Sequence, residues 1–130
     1  MKYEDRKEAA VVIRNRGRVL LRKCQQGERW AGLWDFPRFH LTTQSGGRQR
    51  KELKRHLDEL TGEPIQIGDK LTSMRHGVTR FRIELDCYEA EFETRPPRIS
   101  APLKWVAPSQ LHSYPLSVTG RKIAKLVANN

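Results

Sequence analysis

Hydrophobic positions along the chain fall into runs of two different periods, separated by polar breakers. Ala9 to Asn15 (AAVVIRN) and Arg18 to Cys24 (RVLLRKC) are aliphatic and β-branched with Arg16-Gly17 between them, which predicts two strands about a tight turn. Val78 to Phe92 alternates with period two. Phe81, Ile83, Leu85 and Cys87 fall on one side and Arg80, Arg82, Glu84 and Asp86 on the other, a long strand with one polar face. A further strand is expected around Pro64–Thr72, and a short one opens Lys104–Leu111 before a turn. Helical spacing occurs twice. From about Arg48 to Thr61, Leu53, Leu57 and Leu60 stand at i, i+4 and i+7; the polar segment TTQSGG precedes them and Gly62 is a natural terminator. From Ser117 or Thr119 to Val127, the residues Ile123, Leu126 and Val127 are expected to face inward. A helix inserted among strands and another at the end predict an α+β fold. It is read as one domain over residues 1–130, a mixed β-sheet flanked by helices, with no internal repeat.

One stretch fits neither period. RWAGLWDFPRF, Arg29 to Phe39, holds Trp30, Trp34, Phe36 and Phe39 together with Gly32 and Pro37, which argue against the interior of a helix or strand. It is therefore read as a loop that either packs as a structural plug or lines a site.

Composition narrows the class. The chain has 130 residues, enough for one core. No apolar run approaches the ~18 residues of a membrane span. The N-terminal MKYEDRKEAA lacks the apolar stretch of a signal peptide. Cys24 and Cys87 show no CxxC spacing and are read as reduced thiols, so the expectation is a cytoplasmic protein with no membrane partner. Lys and Arg number 25 against 15 Asp and Glu, a net charge of +10. That balance favours a polyanionic partner, nucleic acid before acidic lipid. The cations form no run long enough for a disordered basic tail.

Arg48, Arg50, Lys51, Lys54 and Arg55 face Glu52 as the one carboxylate of their stretch, and Arg80 and Arg82 stand on the polar side of the long strand with Arg75 just before it. Guanidinium groups on a rigid strand suit phosphate or base-edge contacts; a solubilising face is the alternative. Glu52, His56 and Glu59 at i, i+4 and i+7 could share one helix face and hold a divalent cation. Arg48, Lys51 and Arg55 on the same surface oppose that. His40, His56, His76 and His112 have no spacing diagnostic of a catalytic triad, and no Gly-rich phosphate loop is present.

The order of parts resembles the Nudix fold and, more narrowly, the C-terminal domain of adenine DNA glycosylases that act on adenine paired with 8-oxoguanine. Three motifs carry the resemblance: AGLWDFPRF, then RHGVTRFRIEL (Arg75 to Leu85), then KWVAPSQLHSYPLSVTGRKI (Lys104 to Ile123). The resemblance implies that the aromatic loop is mainly structural. Set on Gly62, the Nudix signature G-x5-E-x7-R-E-U-x-E-E-x-G-U matches at Arg55, Leu57, Glu59 and Gly62. His56 and Leu60 stand where two metal-binding glutamates would be, and Leu41 and Gly47 take the upstream Gly and Glu. Leucine cannot bind Mg²⁺, so the resemblance implies a degenerate box with no catalytic residues, no metal and no cofactor. The glycosylases read 8-oxoguanine with a Phe-Ser-His loop, and the matching positions are Val78, Thr79 and Arg80. The implied lesion and DNA-binding set is then Val78, Thr79, Arg80, Arg82, Arg75, Arg48, Lys51 and Arg55. Between His76-Gly77, read as a turn, and the long strand, Val78-Thr79-Arg80 is expected to form a rigid exposed corner.

The implied partners are duplex DNA containing 8-oxoguanine and a glycosylase catalytic domain, in cis or in trans. That domain's iron–sulfur cluster takes four cysteines and this chain has two, so the chain is expected to be an excised domain or a free-standing relative. Two other readings stay open: a Nudix hydrolase of nucleoside diphosphate derivatives using Mg²⁺ and an atypical acid set such as Glu52, Glu59 and Glu63, and a protein-binding module.

Overall fold

The computed structural model describes residues 2–128. In chain order the elements are β1 (Glu4–Asn15), β2 (Arg18–Lys23), β3 (Trp34–Asp35), β4 (Arg38–Leu41), α1 (Gly46–Thr61), β5 (Ile65–Val78), β6 (Phe81–Phe92), β7 (Leu103–Val106), a 3-10 helix (Pro108–Ser113) and α2 (Val118–Ala128). The sheet follows the path β3-β2-β1-β6-β5, with β4 joining β1 and β7 joining β2. β1 and β6 are parallel and the other pairs antiparallel, so the sheet is mixed.

The sheet lies between two helices, and the parity of β1 shows it. Ala9, Val11 and Ile13 meet Leu53 and Leu57 of α1, whereas Ala10 and Val12 meet Ile123, Ala124 and Val127 of α2. This explains why the hydrophobic run of β1 is continuous: a strand covered on both faces has no polar side. β6 alternates only at its start. From Leu85 to Tyr88 all four residues are buried, Asp86 among them, because α1 covers the face that simple alternation assigns to solvent.

The caps of α1 follow from the polar breaker. Ser45 Oγ accepts from the Arg48 N–H at 3.3 Å, and Gly62, at φ 78°, sends its N–H to the Asp58 carbonyl at 2.8 Å. Leu60 departs from the apolar stripe expected of it and is only half-buried. The aromatic loop contains two short strands, β3 and β4, on either side of Phe36-Pro37.

One turn moves from where the sequence places it. His76 and Gly77 lie inside β5, paired with Ile83 and Arg82, and the reversal comes at Thr79-Arg80 between the paired residues Val78 and Phe81. Val78 therefore ends one strand rather than opening the next.

α1 buries its apolar residues against the upper part of the sheet only. The lower ends of β1, β5 and β6 run on in full register beyond it, from Glu4↔Phe81 to Lys7↔Glu84 on one side of β6 and from Val78↔Phe81 to Arg75↔Glu84 on the other. That overhang positions the candidate site.

Candidate functional site

The tip of the β5–β6 hairpin is Val78-Thr79-Arg80. Val78 packs against the core beneath, while Thr79 and Arg80 are exposed. Thr79 has φ 50°, a left-handed conformation uncommon for a β-branched residue. Its hydroxyl donates to the Val78 carbonyl at 2.7 Å, leaving the Oγ1 lone pairs free to accept. The Arg80 carbonyl accepts from the Glu4 N–H at 2.9 Å, which ties the tip to β1, and its guanidinium lies 5.4 Å from the Phe81 ring. The corner is thus exposed, as the sequence predicts, and anchored both within the hairpin and to β1.

Beside the tip opens a groove of about 1150 Å³ between the sheet overhang, the Leu41–Gln44 segment and Gln49 of α1. Arg75 and Arg82 stand on its floor, so the structure brings these two expected site residues together. Arg82 Nε meets Asp5 at 3.0 Å; Arg75 is 3.9 Å from Glu84. Lys7 Nζ reaches Glu84 at 2.5 Å and Asp86 at 2.7 Å. Burial opposes the Lys7 charge, but these two carboxylates outweigh it and raise its pKa. Lys7 is thereby a fixed part of the floor.

Arg48, Lys51 and Arg55 are exposed on the outer face of α1, and Arg55 reaches Glu59 at 3.5 Å. Arg50 and Lys54 turn away to the β5 side, where Arg50 donates to the carbonyls of Ile67 and Gly68 and Lys54 to that of Ile65. The basic stretch is thus divided: three cations for solvent and two for the fold.

The acid set does not assemble. Glu52, buried, accepts from the backbone N–H groups and hydroxyls of both Thr42 and Thr43. Burial would raise its pKa, yet these hydrogen bonds prevail and hold it at about 2. His56 lies flat on Phe39, ring centroids 4.9 Å apart, and its Nε2 is buried without a hydrogen bond. Glu59 is 65% exposed at its side chain, and Glu63 lies past the helix end. Among the described residues no three His, Cys, Asp or Glu side chains are grouped to hold a metal ion. The donor set does not fit Mg²⁺.

The four loop aromatics divide too. Phe36 is buried, Trp34 meets Tyr114 edge-on at 5.4 Å and Phe39 stacks on His56. Trp30, at φ 63°, instead lines a cavity of about 320 Å³, with Arg29 and Arg38 5.2 and 5.0 Å from its ring and His76 stacked on it at 6.2 Å. Arg38 is the hub here: it binds Glu8 at 2.6 Å, Thr119 at 2.6 Å and His76 Nε2 at 2.6 Å. Burial lowers the His76 pKa and the Arg38 charge lowers it further, which keeps Nε2 an acceptor. Burial works against the Glu8 charge, but the hydrogen bonds and charges of Arg29 and Arg38 keep its pKa low.

Sequence reasoning missed Lys7, Asp5, Glu8 and the Thr42-Thr43 clamp. β1 reads as starting at Ala9, and its charged lower end acquires meaning only through its parallel register with β6. No spacing in the chain encodes that register.

The fold recurs among solved structures. The solution structure of the E. coli ORF135 protein superposes with TM-score 0.77 at 24% identity, covering 95% of this chain and 89% of that one. The MutT protein of Methanosarcina mazei Go1 gives 0.77 at 19% identity, covering 99% and 96%. The C-terminal domain of mouse MUTYH, in its complex with human PCNA, gives 0.75 at 21% identity, covering 97% and 89%. Among curated proteins no match was found. The NUDIX domain family matches residues 9–126, nearly the whole described chain, and the chain belongs to that family.

Proposed function

We propose that this chain is a Nudix-fold domain for nucleic-acid recognition, reading 8-oxoguanine in duplex DNA as the C-terminal part of an A/G-specific adenine DNA glycosylase does, in company with a glycosylase catalytic domain. The observation that carries the reading is the hairpin tip. With its proton given to Val78, the Thr79 hydroxyl offers a ligand only acceptor lone pairs. 8-Oxoguanine carries N7–H, a donor, where guanine N7 is itself an acceptor. The same oxygen thus attracts the lesion and repels the normal base. The net charge of +10 and the exposed Arg48, Lys51, Arg55, Arg75, Arg80 and Arg82 supply phosphate attraction.

The second reading, a MutT-like hydrolase, is favoured equally by the likeness to the Methanosarcina mazei protein, since that likeness concerns the fold. The side chains weigh against it, because Glu52, Glu59 and Glu63 are not brought together.

The test is a paired titration of 8-oxoguanine and guanine duplexes at one salt concentration. One hydrogen bond is worth about 0.5–1.5 kcal/mol, so the isolated domain should prefer the lesion by roughly 2- to 12-fold. Thr79→Val removes the acceptor and should bring the ratio to unity. Arg80→Ala should weaken both duplexes alike. A ratio unmoved by Thr79→Val sinks lesion reading.

A further inference from the structure

We propose that the sheet overhang is a second nucleic-acid site, built for an unpaired nucleotide, with the base on Tyr3 and the phosphates on Arg75 and Arg82. It rests on the nucleic-acid reading above but not on lesion recognition.

The overhang is an unusual surface for a two-sided sheet. Its strands stay fully paired for two further rows beyond the cover of α1, Asp5–Arg82–Gly77 and Lys7–Glu84–Arg75. These rows line a groove of about 1150 Å³, which has room for more than one nucleotide. Tyr3, two residues before Asp5 of the floor, is 57% exposed, and the guanidinium of Arg82, also of the floor, lies 5.7 Å from its ring. An exposed aromatic beside a guanidinium is how sequence-tolerant single-strand sites hold a base.

The charges sort into structural and available ones. Lys7 is held by Glu84 and Asp86 and belongs to the floor. Arg82 contacts Asp5 through Nε, so the two terminal nitrogens of its fork stay open to a phosphate. Gly77 is its neighbour across β5, where no side chain blocks the approach. Arg75 has a side chain 87% exposed and only a distant share of Glu84, which Lys7 already holds at 2.5 Å. Along the opposite wall stand the neutral amides of Gln44 and Gln49; Gln49 Nε2 donates to the Thr43 carbonyl at 2.9 Å, which leaves its oxygen and the Gln44 amide to meet base edges. A protein partner fits less well, because among the described residues Tyr3 is the one large apolar group exposed here, and the buried core of a protein interface is apolar.

The test is titration of the 130-residue chain against a short single strand carrying 2-aminopurine, whose fluorescence is quenched on stacking, with anisotropy read in parallel. Quenching is expected to accompany binding. Tyr3→Ala should abolish the quench and weaken binding by about 5- to 150-fold, the range for one stacked base, whereas Tyr3→Phe should retain both. Arg75→Ala should lower the log–log salt slope by ~0.7, the value for one single-strand phosphate contact. No measurable single-strand binding, binding without quenching, or a Tyr3→Ala protein that quenches like the parent would overturn the proposal. A chain that binds the single strand in this way yet shows no 8-oxoguanine preference in duplexes would sink the lesion reading and leave this one standing; the reverse result would sink this one alone.

Discussion

Asp35 Oδ1 lies 2.7 Å from the point where a β-carbon on Gly120 would stand. Ser117 Oγ is 2.9 Å from the same point and accepts the Gly120 N–H at 3.0 Å, while Asp35 Oδ1 accepts from the Phe36 N–H at 2.9 Å. The first turn of α2 thus docks on a buried carboxylate, and only glycine permits that approach. The aromatic loop and the C-terminal helix, far apart in sequence, are one structural unit.

The first prediction follows directly. Gly120→Ala must push α2 away from Asp35 and should cost about 1–3 kcal/mol, as overpacking of a well-filled site does. Denaturant unfolding measures it. Asp35→Ala, which removes the obstructing oxygen, should make the same Gly120→Ala change cheaper. An additive double variant would show that the contact is not what Gly120 serves.

The second concerns pH. Burial pushes the Asp35 pKa up to about 6, with Arg38, the Ser117 hydroxyl and the Phe36 N–H only partly opposing it. A carboxyl that binds its proton more tightly when folded stabilises the fold below its unfolded pKa, and that stability fades as pH rises through 6. The amount is about 3 kcal/mol for a shift of this size. Glu52 acts in the other direction. Held at about 2, it stabilises the fold above the ordinary glutamate range and ceases to do so as pH falls toward 2. Thermal unfolding from pH 4 to pH 7 should show Asp35→Asn gaining on the parent as pH rises. Comparing the two proteins cancels the opposite contribution of His76, whose lowered pKa is common to both. A constant difference across that range would place the Asp35 pKa near its ordinary value.

How far the sequence could be read depended on whether its signals were local. The alternation of Phe81, Ile83, Leu85, the Leu53–Leu57 spacing and the Gly62 terminator each concern neighbours along one element, and each element is where those signals place it. The hairpin turn was misplaced because Gly77 is a stronger local turn signal than Thr79, and pairing across β5 and β6 prevailed over local preference. The site residues lay further out of reach. Arg82 beside Asp5, or Glu52 clamped by Thr42 and Thr43, depends on register or on a loop folding back, and no spacing within one element reports either.

The third prediction is that hydrolysis is not one glutamate away. His56→Glu with Leu60→Glu restores the two replaced acids of the box, but Phe39 occupies the space over position 56 and Glu52 is already saturated. The parent chain should show no turnover of 8-oxo-dGTP, ADP-ribose or dinucleoside polyphosphates with Mg²⁺ or Mn²⁺. The double variant should bind Mg²⁺ no better than millimolar by calorimetry. Parent turnover near ordinary enzyme values, ~1 per second or faster, abolished by Glu59→Gln, would restore the hydrolase reading.

The last prediction sets stability against recognition at Thr79. A β-branched residue at φ 50° is held there by the hairpin, not by preference, and left-handed backbone costs such a residue ~1–2 kcal/mol. Asparagine tolerates that conformation far better and keeps a polar side chain. Thr79→Asn should therefore raise the unfolding free energy by roughly 0.5–1 kcal/mol, within the range that compatible turn substitutions give. It also removes the hydroxyl whose proton is tied to Val78 and replaces it with an amide that can donate as well as accept. An amide that rotates to suit either N7–H or a bare N7 cannot tell the two bases apart, so the 8-oxoguanine preference should fall toward unity while overall duplex affinity holds. The two readouts are separate. A variant no more stable than the parent would mean that the tip relaxes its strain in some other way. A variant that is more stable and still prefers the lesion would mean that discrimination lies outside the Thr79 hydroxyl.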